Sequence, residues 1–149
     1  MLSQTGEYAL RAMVHLAREE REGARLQAEE IADALRVPRN YLSKILHALG
    51  RSGLLESTRG PGGGFRLALP ADQIPLGRVV EVFDPHLLAE DRRCIMGQEI
   101  CSDSKPCAAH ERWKSISRAV QAFFSGTTIG ALAEGPDPGL PEAVRSSDQ

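Results

Sequence analysis

No stretch of this 149-residue chain approaches the roughly 20 consecutive apolar residues that a membrane span needs, so no membrane partner is expected. The first residues, M-L-S-Q-T-G-E-Y, lack the charged and apolar regions of a secretory signal. Cysteine is scarce. There are three, an odd number, all in one stretch, which argues against a secreted disulfide framework and for a reducing, cytoplasmic setting. A chain of this size buries about 68–70% of its unfolded surface and needs no disulfide to fold. The motifs of common enzyme chemistries are also missing. The run Gly60-Pro61-Gly62-Gly63-Gly64 is not followed by the G-K-[ST] of a phosphate loop, and His110-Glu111 lacks the second histidine of H-E-x-x-H because Lys114 stands there. There is no C-x-x-C pair, no Ser/His/Asp set in a recognisable context and no internal repeat. An enzyme is therefore not expected.

The net charge, −2, does not suggest a polyanion-binding protein, but its distribution does. Between Arg36 and Arg66 there are six bases and one acid, a net of +5, which leaves −7 on the rest. Around this basic segment the chain alternates short helical patterns. Ser3 or Thr5 can cap a first helix to about Glu20, with Ala9, Met13, Leu16 and Ala17 as its buried stripe. A second helix, Gln27 to Leu35, is expected to bury Ile31, Ala34 and Leu35. The link Arg36-Val37-Pro38 then leads into a third helix, with Pro38 at its first position, running from Arg39 to about Ser52. Its residues Leu42, Ile45, Leu46 and Leu49 face inward. Arg39, Asn40, Ser43, Lys44 and His47 lie elsewhere on its surface. Two short helices with a tight link read as helix-turn-helix, or equally as an ordinary surface pair.

The segment after the third helix favours the helix-turn-helix. Leu54–Thr58 and Phe65–Leu69 read as strands joined by the glycine-rich turn at Arg59–Gly64. A hairpin directly after a helix-turn-helix is a wing, whose glycines let bare backbone approach a phosphate chain or a minor groove. After a polar connector, Leu76, Val79, Val80 and Phe83 mark a short amphipathic helix ended by Asp84-Pro85. A longer helix is expected from about Pro106, with Ala109, Trp113, Ile116, Val120 and Phe123 in one stripe and Phe124 beside it. So long an aromatic stripe among small flanking pieces suggests a partner subunit. Thr127 or Thr128 caps a last helix to Glu134, and the tail reads as disordered. The chain is thus expected to be mainly α with a small β-hairpin wing: residues 1–70 a winged helix-turn-helix, 71–92 a connector with a short helix, 93–134 a cysteine loop and dimerisation helix, and 135–149 a disordered tail.

The most informative stretch runs from Arg93 to Trp113 and holds Cys94, Cys101 and Cys107, with His110 three residues after the last cysteine. Thiolates are soft ligands that suit iron–sulfur clusters, zinc and copper(I). Three on a loop interrupted by Gly and Pro, among polar neighbours, can fold round one metal centre, whereas buried structural cysteines usually sit among apolar residues.

Together these pieces resemble the IscR/NsrR-type winged-helix regulators, dimeric bacterial transcription factors that hold iron–sulfur clusters. The likeness covers residues 1 to about 134. It rests on E-Y-A-L-R-A-M at Glu7–Met13, Y-L-S-K-I-L at Tyr41–Leu46, R-G-P-G-G-G-F at Arg59–Phe65, the cysteine loop, and T-I-G-A-L at Thr128–Leu132. The resemblance implies that the second helix of the helix-turn-helix enters the major groove. Arg39, Asn40, Tyr41, Ser43 and Lys44 would meet DNA there, with Arg59, Gly62 and Gly63 at the flanking groove. A homodimer would read a palindromic operator in double-stranded DNA, with half-sites about 34–36 Å apart or a multiple of that. The resemblance also makes Cys94, Cys101 and Cys107 cluster ligands, although the spacing is C-x6-C-x5-C where better-known members have five residues in both gaps. For the fourth ligand it offers His110, which suggests a 2Fe–2S cluster. The alternative is Glu7 from the partner's first helix, which suggests 4Fe–4S or a 2Fe–2S form with acidic ligation. The function implied is a repressor or dual regulator whose operator binding is gated by a cluster sensing redox state, nitric oxide or iron supply. Two rivals keep the DNA binding: structural zinc held by the three cysteines and His110, or a metal-free thiol redox switch.

Overall fold

The computed structural model describes residues 1–20, 24–89, 94–97, 99 and 101–139. Among these residues, six α-helices and one two-stranded hairpin make up the regular structure, with short 3-10 turns at Ala71–Gln73 and Pro85–Leu87. The expected boundary at 92/93, Arg92 and Arg93 themselves, and residues 140–149 of the tail lie outside the described residues.

Helix α1 (Gln4–Glu19) starts at Ser3, whose hydroxyl accepts the Gly6 N–H at 3.0 Å, satisfying one of the orphan donors of a first turn. Ala9, Ala12, Met13 and Leu16 are buried, and Ala17 of the expected stripe is half-buried. Helix α2 (Ala28–Leu35) buries Ile31 and Ala32, whereas Ala34 is exposed and Leu35 half-buried. The expectation chose the wrong neighbour of Ile31. The stripe is Ala28, Ile31, Ala32 and Leu35, the i, i+3, i+4, i+7 series, and Ala34 falls off it. The helix ends on Arg36, which takes the left-handed conformation (φ 53°) and lets Val37 donate to the Ala32 carbonyl at 3.0 Å. Helix α3 (Arg39–Arg51) comes next, with Pro38 immediately before it rather than at its first position. Leu42, Ile45, Leu46 and Leu49 are buried as expected.

The wing pairs β1 (Leu55–Thr58) antiparallel with β2 (Gly64–Leu67), with Leu55 opposite Leu67 and Thr58 opposite Gly64. It is anchored to the helices from the side, because Leu26 and Phe65 exchange backbone hydrogen bonds of 3.0 and 2.8 Å. Gly64 is required at this crossing: its φ is 131°, and a Cβ there would lie 2.5 Å from the Leu26 carbonyl oxygen. No side chain fits so close to a fixed backbone atom.

Helix α4 (Leu76–Phe83) buries Leu76, Val79 and Val80. It ends at Asp84, a residue with a larger part than helix stop. Asp84 is 2% exposed. It accepts hydrogen bonds from the Ser3 N–H at 3.1 and 3.2 Å and from the Ser3 hydroxyl at 2.9 Å. The start of α1 is thereby latched to the end of α4.

Helix α5 (His110–Gly126) starts at His110, not near Pro106. Cys107 lies before it, joined by a turn in which the His110 N–H donates to the Cys107 carbonyl at 3.0 Å. Helix α6 (Ile129–Glu134) is capped by the Thr128 hydroxyl, which accepts from Ala131 N–H. It returns to the N-terminal half, with Ile129 N–H bonded to the Ile74 carbonyl at 2.8 Å. The Arg18 guanidinium donates to the carbonyls of Leu132, Ala133 and Gly135 and pairs with Asp137 at 3.0 Å. A cation thus meets the carbonyl-rich end of α6. One core runs through α1, α2, α3, α4, the hairpin and the near side of α5 and α6.

Candidate metal centre and nucleic-acid interface

The cysteine loop closes on the N-terminus of α5. Cys94 is buried, Cys101 and Cys107 are half-buried, and none of the three is in a disulfide. Cys94 Sγ accepts from the Met96 N–H at 3.4 Å, and Gly97 N–H closes the same turn on the Cys94 carbonyl at 2.8 Å. Cys101 Sγ lies 3.2 Å from His110 Nδ1. The Cys101 thiol is pushed above its ordinary range, first by desolvation in this loop, then by the adjacent Cys94 thiol, to which it hydrogen-bonds, and by Cys107 and Asp103. A thiol shifted in this way resists ionisation until a cation is present to take up its charge.

His110 is 2% exposed. Its second ring nitrogen, Nε2, is 2.7 Å from Asp103 Oδ1, and Lys114 Nζ donates to both Asp103 oxygens at 2.6 and 2.9 Å. Lys114 holds the Asp103 carboxyl down to about 2, with His110 adding to the effect. The ligand atoms of Asp103, His110 and Glu111 lie within 4.8 Å of one another. In sequence Asp103 is no more than a polar neighbour of the cysteines. Its one signal is the D-x6-H-x3-K spacing, which sets an acid and a base on either side of a buried imidazole. On the α5 face shared with His110, at i+3 and i+7, Trp113 Nε1 and Ser117 Oγ are buried without a hydrogen-bond partner among the described residues.

The structure brings Cys101 against His110 and sets Cys94 and Cys107 near Cys101, and thiols beside an imidazole are donors that suit iron–sulfur or zinc chemistry. Among the described residues no cysteine belongs to a group of three ligand atoms within 4.8 Å of one another. Glu7 is elsewhere. It is exposed in the first turn of α1 and lines an apolar groove of about 490 Å³ with Leu2, Leu87, Ile116, Val120 and Phe123. The expected stripe of α5 is split: Ile116 and Phe123 face this groove, whereas Phe124 lies in the chain's own core with Val120 packed against it and Trp113 does not line the groove. Ile116 is 54% and Phe123 53% exposed, and the residues that α5 buries are His110, Ser117 and Phe124.

At the other end, the basic segment is displayed on α3 and the wing. Arg39, Asn40, Lys44 and Arg59 are exposed. Arg39 reaches Glu29 at 3.4 Å, and Arg66 is tied to Glu56 across the hairpin at 2.6 Å. Ser43 is half-buried. Tyr41 has a second engagement: its hydroxyl is hydrogen-bonded to the Thr5 hydroxyl and its ring packs edge-on against Tyr8 at 5.9 Å. Of the two wing glycines, Gly62 is exposed at the tip, whereas Gly63 is buried. A Cβ on Gly63 would sit 2.2 Å from the Thr58 carbonyl oxygen, and its own carbonyl accepts from Gln27 Nε2 at 2.7 Å. Its smallness serves the closure of the wing.

A helix-turn-helix, an anchored wing with a basic tip and a cysteine loop ahead of α5 define a winged-helix regulator. The profile of the Rrf2 family, described as "Iron-dependent Transcriptional regulator", matches residues 2–135, and the chain belongs to that family. It is 35% identical over 134 residues to a putative HTH-type transcriptional regulator of Aquifex aeolicus, spanning 89% of this chain and 90% of the relative. It is 32% identical to the HTH-type transcriptional regulator IscR of Aliivibrio salmonicida, over 88% of this chain and 76% of the relative. Among solved structures it is similar to CymR, the global cysteine regulator of B. subtilis. The TM-score is 0.78 at 26% identity, covering 92% of this chain and 98% of the other. The protein is a DNA-binding transcriptional regulator, of a family of regulators rather than enzymes. Among the described residues no helix is long and apolar enough to cross a membrane.

Proposed function

We propose that this regulator binds its operator as a homodimer and that an iron–sulfur cluster held by Cys94, Cys101, Cys107 and a fourth ligand gates that binding. The observation that carries the reading is the contact of Cys101 Sγ with the buried His110 imidazole, 3.2 Å from Nδ1, with the Cys94 and Cys107 thiols near Cys101. When bound, the cluster would supply electron-transfer or ligand-exchange chemistry that responds to oxidant, nitric oxide or iron supply. The chain's own residues do the rest. Cys94, with its backbone N–H···S contact, and Cys101 and Cys107 would bind as thiolates. His110 offers the nitrogen ligand that suits a 2Fe–2S site. The partner's Glu7 is the rival fourth ligand, supported by its place on the rim of the apolar groove that the partner's α5 would fill.

The dimer reading is supported by Ile116 and Phe123, apolar residues more than half exposed on a helix whose other face is already packed. DNA recognition falls to Arg39, Asn40, Tyr41, Ser43 and Lys44 of α3 and to Arg59 and Gly62 of the wing, with Gly63 shaping the turn. Phosphate contacts would set affinity, and a few side chains on α3 would carry base identity. The route from site to head runs through the chain itself. The cysteine loop lies between α4 and α5, and the end of α4 is latched by Asp84 to the first turn of α1. A tenfold change in operator affinity requires only about 1.4 kcal/mol of differential stability between the two forms of the dimer.

The test is operator affinity, on DNA selected from the genome by the protein itself, for metal-free and cluster-loaded dimer of one preparation. The gating reading expects a difference of tenfold or more in either direction, and equal affinities refute it. A second reading, a metal-free thiol switch, is favoured by the direct Cys94–Cys101 contact. It expects peroxide to join these two sulfurs, with loss of both thiol hydrogens to water, and to change DNA binding with no metal present. Structural zinc, the third reading, expects a colourless protein with one zinc per chain.

A further inference from the structure

We propose that Asp103, clamped by Lys114, is the positioning residue that fixes His110 with the Nδ1 lone pair turned toward Cys101. The inference rests on the cluster reading above and goes beyond it by assigning roles to two residues outside the ligand set. A carboxylate only accepts hydrogen bonds. At 2.7 Å from Asp103 Oδ1, Nε2 therefore carries a hydrogen, and in the neutral ring, the form that binds a metal, Nδ1 is left with the lone pair. That lone pair faces Cys101 Sγ at 3.2 Å. A metal held tetrahedrally by a sulfur at about 2.3 Å and an imidazole nitrogen at about 2.0–2.1 Å separates those two atoms by about 3.6 Å. The pair stands within a few tenths of an ångström of ligating distance.

The geometry of the clamp explains how a loop residue can do this. His110 and Lys114 are four residues apart on α5 and so share a face. Asp103 is drawn between them, receiving Lys114 Nζ on both oxygens at 2.6 and 2.9 Å. Asp103 is 72% exposed at its side chain, so the ion pair is screened and is a poor stability device. Its effect falls instead on the ring it orients. Glu111, 3.9 Å from Nε2, is too far to replace it. Without Asp103 the neutral ring has no partner to choose between its tautomers, and the ring can turn.

The test uses the full chain, labelled with 15N-histidine, as wild type and as Asp103→Ala. Nitrogen NMR of the metal-free proteins reads the tautomer of His110 directly. Reconstitution with ferrous iron and sulfide, followed by chelator competition, reads retention of the site. Wild type is expected to hold His110 as the Nε2–H tautomer. Asp103→Ala is expected to lose that preference and to lose about 10–100-fold in metal retention, the usual effect of removing such an outer partner, while its circular dichroism and melting match wild type. Lys114→Met, which leaves Asp103 in place but unclamped, is expected to fall between the two. An Nδ1–H tautomer in wild type, or an Asp103→Ala protein with the wild-type tautomer and retention, overturns the role of Asp103 alone. A wild type that takes up no iron and sulfide overturns the cluster reading and this inference with it.

Discussion

Gly6→Ala would separate two opposed effects at the latch between α1 and α4. A Cβ at position 6 would lie 2.1 Å from Asp84 Oδ2 and 3.4 Å from Ser3 Oγ. The carboxyl must swing away, and with it go bonds from the Ser3 N–H and hydroxyl, all made inside a buried joint. Losing two such bonds and stranding a buried acceptor forfeits about 2–4 kcal/mol. Replacing glycine by alanine in a helix returns about 1 kcal/mol. The expected net is a destabilisation of about 1–3 kcal/mol, read by urea unfolding, with Tm falling by about 2–4 °C per kcal/mol for a chain of this size. The double-mutant cycle with Asp84→Ala isolates the cause: in that background the alanine at position 6 meets no carboxyl, and the penalty should vanish. A Gly6→Ala protein as stable as wild type or more so, as helix propensity alone would make it, would show that the latch contributes nothing to stability.

Lys44→Ala is expected to weaken binding about uniformly across DNA sequences and to lower the salt-dependence slope by about 1, if it meets a phosphate, whereas Asn40→Ala should relax sequence preference as well; anisotropy titrations at several salt concentrations distinguish them. Gly64→Ala must push the Leu26 backbone aside, so the wing should lose amide protection in hydrogen exchange and DNA affinity should fall, while α1 and α5 remain protected. Phe123→Glu on the exposed face of α5 should leave the fold intact and give a monomer in sedimentation, with operator affinity lost; a dimer that survives this change uses another face. Cys107→Ser should abolish visible absorbance after reconstitution without lowering Tm in the metal-free state, because Cys107 is half-buried and outside α5.

The sequence is most legible where periodicity and punctuation agree. The inward stripe of α3, the glycine turn and the two strands of the wing emerge within a residue or two of their observed bounds, since helix and hairpin each leave a distinct spacing. Helix α2 is misphased because eight residues with three alanines allow two stripes, and only packing against α1 and α3 selects one. The start of α5 is expected four residues early because Pro106 is a common first helical residue, yet Cys107–Ala109 form the turn that carries His110 inward. The three cysteines and His110 stand out by chemistry. Asp103 and Asp84 do not, because an acid in a polar loop and an acid before proline are both ordinary. What distinguishes them is a partner 7 and 81 residues away in the chain, which no local pattern contains. Gly63 is expected at a groove that its burial does not face, because a glycine that approaches DNA and a glycine that closes a turn look alike in sequence.

The measurement that bears most directly on a cluster-holding site is the visible absorption spectrum of the protein purified without oxygen, with iron and sulfide assayed on the same sample. A brown protein with sulfur-to-iron charge-transfer bands and iron equal to sulfide is the expected result, and the iron count per chain then selects the cluster type. A protein that is colourless as purified and stays colourless after reconstitution with iron and sulfide would contradict the reading and leave a zinc-bound or metal-free regulator in its place.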